Sequence, residues 1–210
     1  MEAFATAGFS ADDFRRRARG QSKPSGDDDY GDHRLNPALR DMIVRDGLRD
    51  AAVMIAVVDH PGDATLLLTQ RTVHLRNHSG QIAFPGGRID PEDATPEDAA
   101  LRETEEEVGL DPSLIDIIGR MPDYVTGSGY RIAPVLGVVT PGFDLTINPD
   151  EVDAAFEVPL RFLMDPANHR RESRLWNEQE RFFYTMPYGD RYIWGVTAGI
   201  IRSMFERLYR

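Results

Sequence analysis

Residues 84–110 constrain this chain more than any other stretch, because they encode a helix whose two ends are both marked. Thr95 is a favoured N-cap residue, Pro96 suits the first helical position, and Asp98 stands where a capping box places an acid. Gly109 is able to adopt the left-handed conformation that ends a helix. The sequence therefore predicts one helix with defined ends, directly after a loop that contains two glycines.

The C-terminal half of this predicted helix is acidic. Glu103, Glu106 and Glu107 stand at positions i, i+3 and i+4, so their carboxylates share one face, whereas Glu105 projects elsewhere. Negative charge near a helix C-terminus and like charges four residues apart both destabilise a helix. The arrangement is tolerated if this face is solvated. Alternatively, the clustered carboxylates bind a divalent cation, because Mg²⁺ binds carboxylates together with substrate phosphates.

These positions match a known motif. They resemble the Nudix box, G-x5-E-x7-R-E-U-x-E-E-x-G-U, where U is a bulky apolar residue; the matching positions are Gly87, Arg102, Glu103, Glu106, Glu107, Gly109 and Leu110. The first acid of the box falls on Asp93, and eight residues separate it from Arg102. Thr104 occupies the first apolar position.

A second motif lies immediately upstream. Residues 67–87, LLTQRTVHLRNHSGQIAFPGG, resemble the signature LLTxRSx3Rx3Gx3FPGG of the coenzyme A pyrophosphatase branch of the Nudix hydrolases, with Thr72 in place of Ser. That branch tolerates the longer spacing within the box. The resemblance implies an α/β/α sandwich with a mixed β-sheet, α/β (α+β) in class, and a Mg²⁺ or Mn²⁺ cofactor.

The resemblance also implies roles for individual side chains. Glu103, Glu106 and Glu107 are the expected metal ligands, and Glu106 alternatively helps to orient water. Arg102 is expected to orient carboxylates, since it reaches Glu106 four residues along the helix. Glu151 is a candidate general base from outside the box, and its alternative is a turn acid that caps the following strand.

Two arginines and two glycines complete the expected site. Arg71 and Arg76 flank the loop that leads into the box, so they are candidates for phosphate contacts, and ordinary surface ion pairs are the alternative. Gly86 and Gly87 lack a Cβ and therefore allow close approach of a ligand to the backbone.

The predicted function is metal-dependent hydrolysis of the pyrophosphate bond of coenzyme A or its derivatives, giving 3′,5′-ADP and 4′-phosphopantetheine or its acyl form. One alternative keeps this chemistry and changes the substrate to ADP-ribose, a dinucleotide or a nucleoside triphosphate. Another is a Nudix fold that binds a ligand without catalysis, although such a module has no need of the density of charge on Glu103, Glu106 and Glu107.

Composition limits location and partners. The formal net charge of −11 argues against a nucleic-acid-binding surface. No apolar run is long enough to cross a membrane, and with no cysteine and no signal-peptide pattern we expect a cytoplasmic protein. The expected partner is a small-molecule substrate, and a homodimer stays open.

The 210 residues divide into an N-terminal appendage, residues 1–33, and a Nudix domain, residues 34–210. The appendage is expected to contain a short helix from Ser10 to Arg19 and a linker rich in Gly, Ser, Pro and Asp. Within the domain we expect strands at residues 51–58, 65–69, 81–84, 114–120, 132–139, 151–158, 174–176, 182–186 and 192–194. Further helices are expected at residues 37–45, 160–164 and 197–209.

Overall fold

The computed structural model describes residues 8–21, 30–39, 47–74, 79–176 and 178–210. Its strands are β1 Tyr30–Gly31, β2 Arg49–Val58, β3 Thr65–Arg71, β4 Ile82–Ala83, β5 Gly86–Arg88, β6 Ile115–Arg120, β7 Tyr124–Val125, β8 Tyr130–Val139, β9 Val152–Pro159, β10 Arg170–Trp176, β11 Gln179–Tyr188 and β12 Arg191–Trp194. Its α-helices are α1 Ala11–Gly20, α2 Pro96–Val108, α3 Leu160–Leu163 and α4 Gly195–Met204.

A mixed nine-stranded sheet organises the fold, with strand order β1-β7-β8-β2-β3-β4. Strand β5 also pairs with β2, β6 with β8, and β9 with β3. The long central pair β2–β8 is parallel, whereas β2–β3 and β3–β9 are antiparallel. A second, three-stranded antiparallel sheet has the order β10-β11-β12.

Strands β2 and β3 separate along their length, and this separation makes room for the candidate site. They pair only at Val57–Leu66 and Val58–Thr65. Further along, β2 pairs instead with β5, which places Ala52 opposite Gly87. Strand β3 meanwhile pairs with β4 and β9. The glycine segment therefore enters the sheet at this fork.

Both faces of the large sheet are buried, since successive side chains of β2 point into two different hydrophobic cores. Ile55 and Val57 face a core formed with α1, α3, α4 and the small sheet. Met54 and Ala56 face a second core formed with α2. Side chains of a strand alternate between faces, so a strand covered on both sides is apolar throughout. The α/β/α sandwich with a mixed sheet is therefore confirmed.

The N-terminal helix α1 is part of the first core. Ser10 caps it by accepting a hydrogen bond of 3.2 Å from the Asp13 backbone N–H. Ala11, Phe14 and Ala18 are buried within the same cluster as the sheet residues. The division at residues 33 and 34 stays a prediction, and the burial of α1 is the observation that counts against treating residues 1–33 as separable.

The Phe14→Leu variant is therefore expected to lower the free energy of unfolding by about 1–2 kcal/mol, because it leaves a gap in a core that does not fully close. Thermal unfolding followed by circular dichroism measures this loss. Val73→Ala, a substitution of an exposed apolar side chain, is the control. An unfolding temperature of Phe14→Leu equal to that of the control would show that α1 is an independent appendage.

Most expected elements are present with small differences. The first hairpin and the helices after Thr95 and Pro159 are confirmed. The second hairpin is longer than expected, since β10 and β11 pair from Arg170 to Trp176. The final helix starts two residues earlier than expected, ends at Met204 and continues as a π-helical turn to Tyr209.

Three expectations fall largely or wholly outside the described residues: the helix at residues 37–45, the linker from Gly20 to Asp32, and Arg76. None of the helices that the structure describes is long and apolar enough to span a membrane.

Candidate active site

Helix α2 carries the acidic face, and its ends form as the sequence predicts. Thr95 Oγ accepts a hydrogen bond of 3.1 Å from the Asp98 backbone N–H and donates one of 2.8 Å to the Asp98 carboxylate. Gly109 is left-handed at φ 67°, and its N–H donates to the Glu105 carbonyl. Both helix ends are therefore satisfied by local contacts.

The two glycines in front of α2 form strand β5 rather than the expected loop. Gly86 pairs with Val53 and Gly87 with Ala52. Gly86 has φ 150°, and a Cβ there would lie 2.7 Å from the Val53 Cα. Only glycine fits this close passage of two backbones.

Glu107 is the buried member of the acidic face, with 2% of its surface exposed. The Gly86 N–H donates to its Oε2 at 3.3 Å, and Arg71 Nη1 donates to its Oε1 at 3.4 Å. Burial raises the pKa of Glu107 to about 7, opposed by Arg71 and the Gly86 N–H and reinforced by Glu103 and Glu151. The Gly86 N–H and Arg71 therefore hold the Glu107 carboxylate in the interior, beside strand β5.

Glu103 lies directly against the glycine strand. A Cβ added to Gly87 would lie 2.5 Å from Glu103 Oε1, so only a glycine leaves space for this carboxylate. Burial raises the pKa of Glu103, opposed by Arg102, and the neighbouring charges of Glu106 and Glu151 raise it further. The Glu103 carboxylate therefore packs directly against the Gly87 backbone.

Arg102 holds the acidic face together. Its Nε and Nη2 donate to the two oxygens of Asp93 at 3.0 and 2.9 Å, and its Nη1 donates to Glu103 and Glu106, each at 3.0 Å. Its Nη2 also reaches the Arg88 carbonyl at 3.2 Å. The fork-like bond to Asp93 fixes the plane of the guanidinium. Hydrogen bonding from Arg102 lowers the pKa of Asp93.

The Arg102→Lys variant is expected to lower turnover about tenfold and to raise the metal concentration that gives half-maximal rate. A lysine keeps the charge but is unable to grip Asp93 and both glutamates at once. Rates measured across a Mg²⁺ titration test this expectation. Arg120→Lys, on a neighbouring strand, is the control, and equal behaviour of the two variants would contradict the orienting role.

A loop before β9 brings Glu151 to the same place. The Asn148 N–H donates to the Glu107 carbonyl at 2.9 Å, which attaches the loop to the end of α2. The Asn148 side-chain amide donates to Glu151 Oε1 at 3.5 Å. The Thr72 N–H donates to the Glu151 carbonyl at 3.0 Å. Glu151 is thus anchored from both sides, close enough to influence Glu103 and Glu107.

The remaining predicted residues take different positions. Glu106 lies at the exposed rim, where the hydrogen bond from Arg102 is the only one that its side chain makes within the described residues. Arg71 is paired with Glu107, so its guanidinium already lies inside the site. Asn148 has no signal in the sequence that connects it to α2; only the fold shows its position.

The carboxylates of the site fit a hard divalent cation for which the protein would supply only some of the ligands. In the described ranges, no group of three or more His, Cys, Asp or Glu side chains converges closely enough to hold a metal ion alone. Glu103 and Glu107 nevertheless present carboxylate oxygens beside strand β5. The absence of a Cβ at Gly87 leaves space there for the Glu103 carboxylate. Mg²⁺ commonly uses one or two carboxylates and takes its other ligands from substrate phosphates and water.

The chain is similar to known proteins over most of its length. The NUDIX domain model matches residues 48–182, a range that contains every residue of the candidate site. "Uncharacterized Nudix hydrolase NudL" of Escherichia coli (strain K12) is 41% identical over 168 residues, covering 79% of this chain and 87% of the relative. The protein of that name from Shigella boydii serotype 4 (strain Sb227) matches equally. The crystal structure of RenU, a Nudix hydrolase from M. smegmatis, aligns with a TM-score of 0.47 at 25% identity, covering 55% of this chain and 73% of that one.

Proposed function

This chain belongs to the NUDIX domain family and is a Nudix pyrophosphohydrolase, and we propose that it hydrolyses the pyrophosphate bond of coenzyme A or its derivatives. The expected products are 3′,5′-ADP and 4′-phosphopantetheine or its acyl form. Nudix hydrolases use divalent metal ions, and Mg²⁺ or Mn²⁺ is the ion proposed here.

The observation that carries the proposed chemistry is the packing of Glu103 and Glu107 against the Gly86–Gly87 strand, where Asn148 attaches the loop of Glu151 to the end of α2. Burial raises the pKa of Glu103 and of Glu107, and the charge of the nearby Glu151 adds to both shifts. Such clusters of perturbed acids occur where function requires them. The resemblance of residues 67–87 to the coenzyme A signature supports the choice of substrate.

Each side chain has a proposed part in the reaction. Glu103 and Glu107, with Glu106 at the rim, would hold the metal ion, which when bound neutralises charge on the phosphate oxygens. Arg102 keeps Glu103 and Glu106 in place. Arg71, which pairs with Glu107, would donate to a phosphate oxygen of the substrate.

Glu151 is the proposed general base. Its carboxylate would take a proton from the attacking water as the water oxygen bonds to phosphorus and the bridging P–O bond breaks. The proton then resides on Glu151, and the leaving phosphate departs as an anion.

The Glu151→Gln variant is expected to reduce kcat about 100-fold with little change in KM, because the amide accepts no proton but retains the hydrogen bond from Asn148. Steady-state kinetics with coenzyme A measure the effect. Asp150→Asn, in the same loop and exposed, is the control. A kcat within twofold of that of the control would show that Glu151 is not the general base and serves only the structure of the turn.

The substrate is tested by incubating the protein with coenzyme A, ADP-ribose, NADH and a nucleoside triphosphate, first with Mg²⁺ and then with Mn²⁺, and identifying products by mass. Faster cleavage of coenzyme A to 3′,5′-ADP supports the proposal. Preference for another diphosphate keeps the chemistry and rejects the substrate. Absence of cleavage with both ions favours a non-catalytic ligand-binding module.

A further inference from the structure

Strand β10 is an exposed sheet edge. It pairs with β11 on one side, and no strand in the described part of the chain pairs with its other side. Of its residues, all except Glu172 are exposed, including Leu175 at 79% and Trp176 at 61%. An uncovered edge of this length offers a row of backbone donors and acceptors to another strand.

The sequence of β10, RRESRLW, is complementary to itself when two copies run antiparallel with Ser173 opposite Ser173. In that register Glu172 faces Arg174 of the second copy, and Arg174 faces its Glu172. Arg170 faces Trp176 in the same way, and Arg171 faces Leu175. Opposite charges, and an arginine with an aromatic ring, are favourable cross-strand pairs.

This register is distinguished from its neighbours. A two-fold axis perpendicular to a sheet pairs residues that lie on the same face of the sheet. Moving the axis by one residue along β10 therefore shifts the partner of every residue by two positions. Centring the axis on Glu172 opposes two glutamates, and centring it on Arg174 opposes two arginines, as does centring on Arg171. The register centred on Ser173 alone pairs all residues from Arg170 to Trp176 and avoids these repulsions.

Contacts with neighbouring side chains on one face of the small sheet already hold the side chains of Glu172 and Arg174. Glu172 accepts hydrogen bonds from Tyr192 Oη at 2.7 Å and Thr185 Oγ at 2.9 Å. Arg174 lies over the rings of Phe183 and Trp194, at 5.6 and 5.1 Å from their centroids. Side chains held in this way lose little conformational freedom when they meet a partner.

We propose that β10 pairs antiparallel with β10 of a second copy of this chain, about a two-fold axis at Ser173, joining two three-stranded sheets into one of six strands. We infer that the partner strand is β10 of a second copy, because Glu172 and Arg174 lie at equal distances on either side of Ser173. This arrangement makes the charges of the strand complementary to those of an antiparallel copy of itself. The acidic body of the protein, with a net charge of −11, makes this arginine-containing edge the favourable place for two copies to approach.

Sedimentation velocity over a range of protein concentrations tests this assembly. The wild-type chain is expected to dimerise reversibly. Arg174→Glu should weaken dimerisation about tenfold or more, because each of the two Glu–Arg pairs becomes a pair of like charges. Ser173→Arg, which opposes two cations at the axis and keeps a polar partner for Glu180, should weaken it similarly. Gln179→Glu, on the neighbouring strand β11, is the control.

Mixing two variants gives the sharper test. Glu172→Arg and Arg174→Glu should each be monomeric alone, yet form a heterodimer when mixed, because in the mixed pair each contact between positions 172 and 174 joins opposite charges. Unfolding temperatures establish that each variant is folded; if Glu172→Arg does not fold, Arg174→Glu and Ser173→Arg decide alone.

A wild-type chain that is monomeric at every concentration overturns the proposal, as does a dimer insensitive to Arg174→Glu and Ser173→Arg. Two folded variants that fail to associate on mixing also overturn it. Pyrophosphatase activity is expected to persist in all these variants, so loss of the dimer and failure of the proposed function are separate outcomes.

Discussion

The Glu103→Gln variant is expected to lose about a thousandfold or more of the wild-type turnover while remaining folded. A bound metal ion contributes several kcal/mol of charge stabilisation in the transition state, and about 1.4 kcal/mol corresponds to a tenfold change in rate. Glutamine keeps the shape of Glu103 and removes the anionic oxygen that faces the Gly87 strand. Steady-state rates with saturating Mg²⁺ and then Mn²⁺ measure the loss.

The same helix supplies the matched control. Glu105 is exposed and lies away from the acidic face, so Glu105→Gln makes the same chemical change without touching the site. It should retain the wild-type rate. Without added metal, Glu103→Gln should unfold at a temperature no lower than wild type, because it removes the cost of burying a charged carboxylate and also the repulsion from Glu106 and Glu151. Near-normal turnover of folded Glu103→Gln would refute the metal assignment.

Local signals predicted the helix that carries the site. Thr95 with Asp98 at one end and Gly109 at the other act through contacts within a few residues, so their effect follows from the sequence. The bond from Arg102 to Glu106 is likewise an i, i+4 contact. Patterns of this range are independent of the rest of the fold.

The contacts that assemble the site have a longer range. Arg102 finds Asp93 across the turn that precedes the helix, and Asn148 joins the Glu107 carbonyl from a distant loop. The contact of Asn148 depends on the course of the chain between α2 and β9. Residue periodicity carries no information about such pairings. For this reason Arg71 was predicted near phosphate without its partner Glu107.

Two features of the N-terminal sequence favour different descriptions of it. A segment rich in Gly, Ser, Pro and Asp follows α1, and this composition is typical of a linker between separate bodies. The alternation of charged residues with Ala11, Phe14 and Ala18 is the stronger signal, because it gives α1 a narrow apolar stripe that requires a partner.

The two adjacent glycines of β5 should respond differently to the same substitution. Gly87→Ala is expected to reduce turnover between about 100-fold and 1000-fold with little loss of stability. A Cβ at residue 87 meets the carboxylate of Glu103, with Oε1 at 2.5 Å, and this side chain is able to swing away. The fold survives, but the carboxylate leaves the position in which it would hold the metal ion.

Gly86→Ala is expected to act on the fold instead. A Cβ at residue 86 lies 2.7 Å from the Val53 Cα, and Gly86 has φ 150°, which disfavours any side chain. Backbone does not move aside as a glutamate does, so we expect a loss of about 1–3 kcal/mol of stability. Thermal unfolding and steady-state kinetics on both variants separate the two effects. If Gly87→Ala instead unfolds easily and keeps its specific activity, then Gly87 serves only the sheet, and the close contact with Glu103 has no part in catalysis.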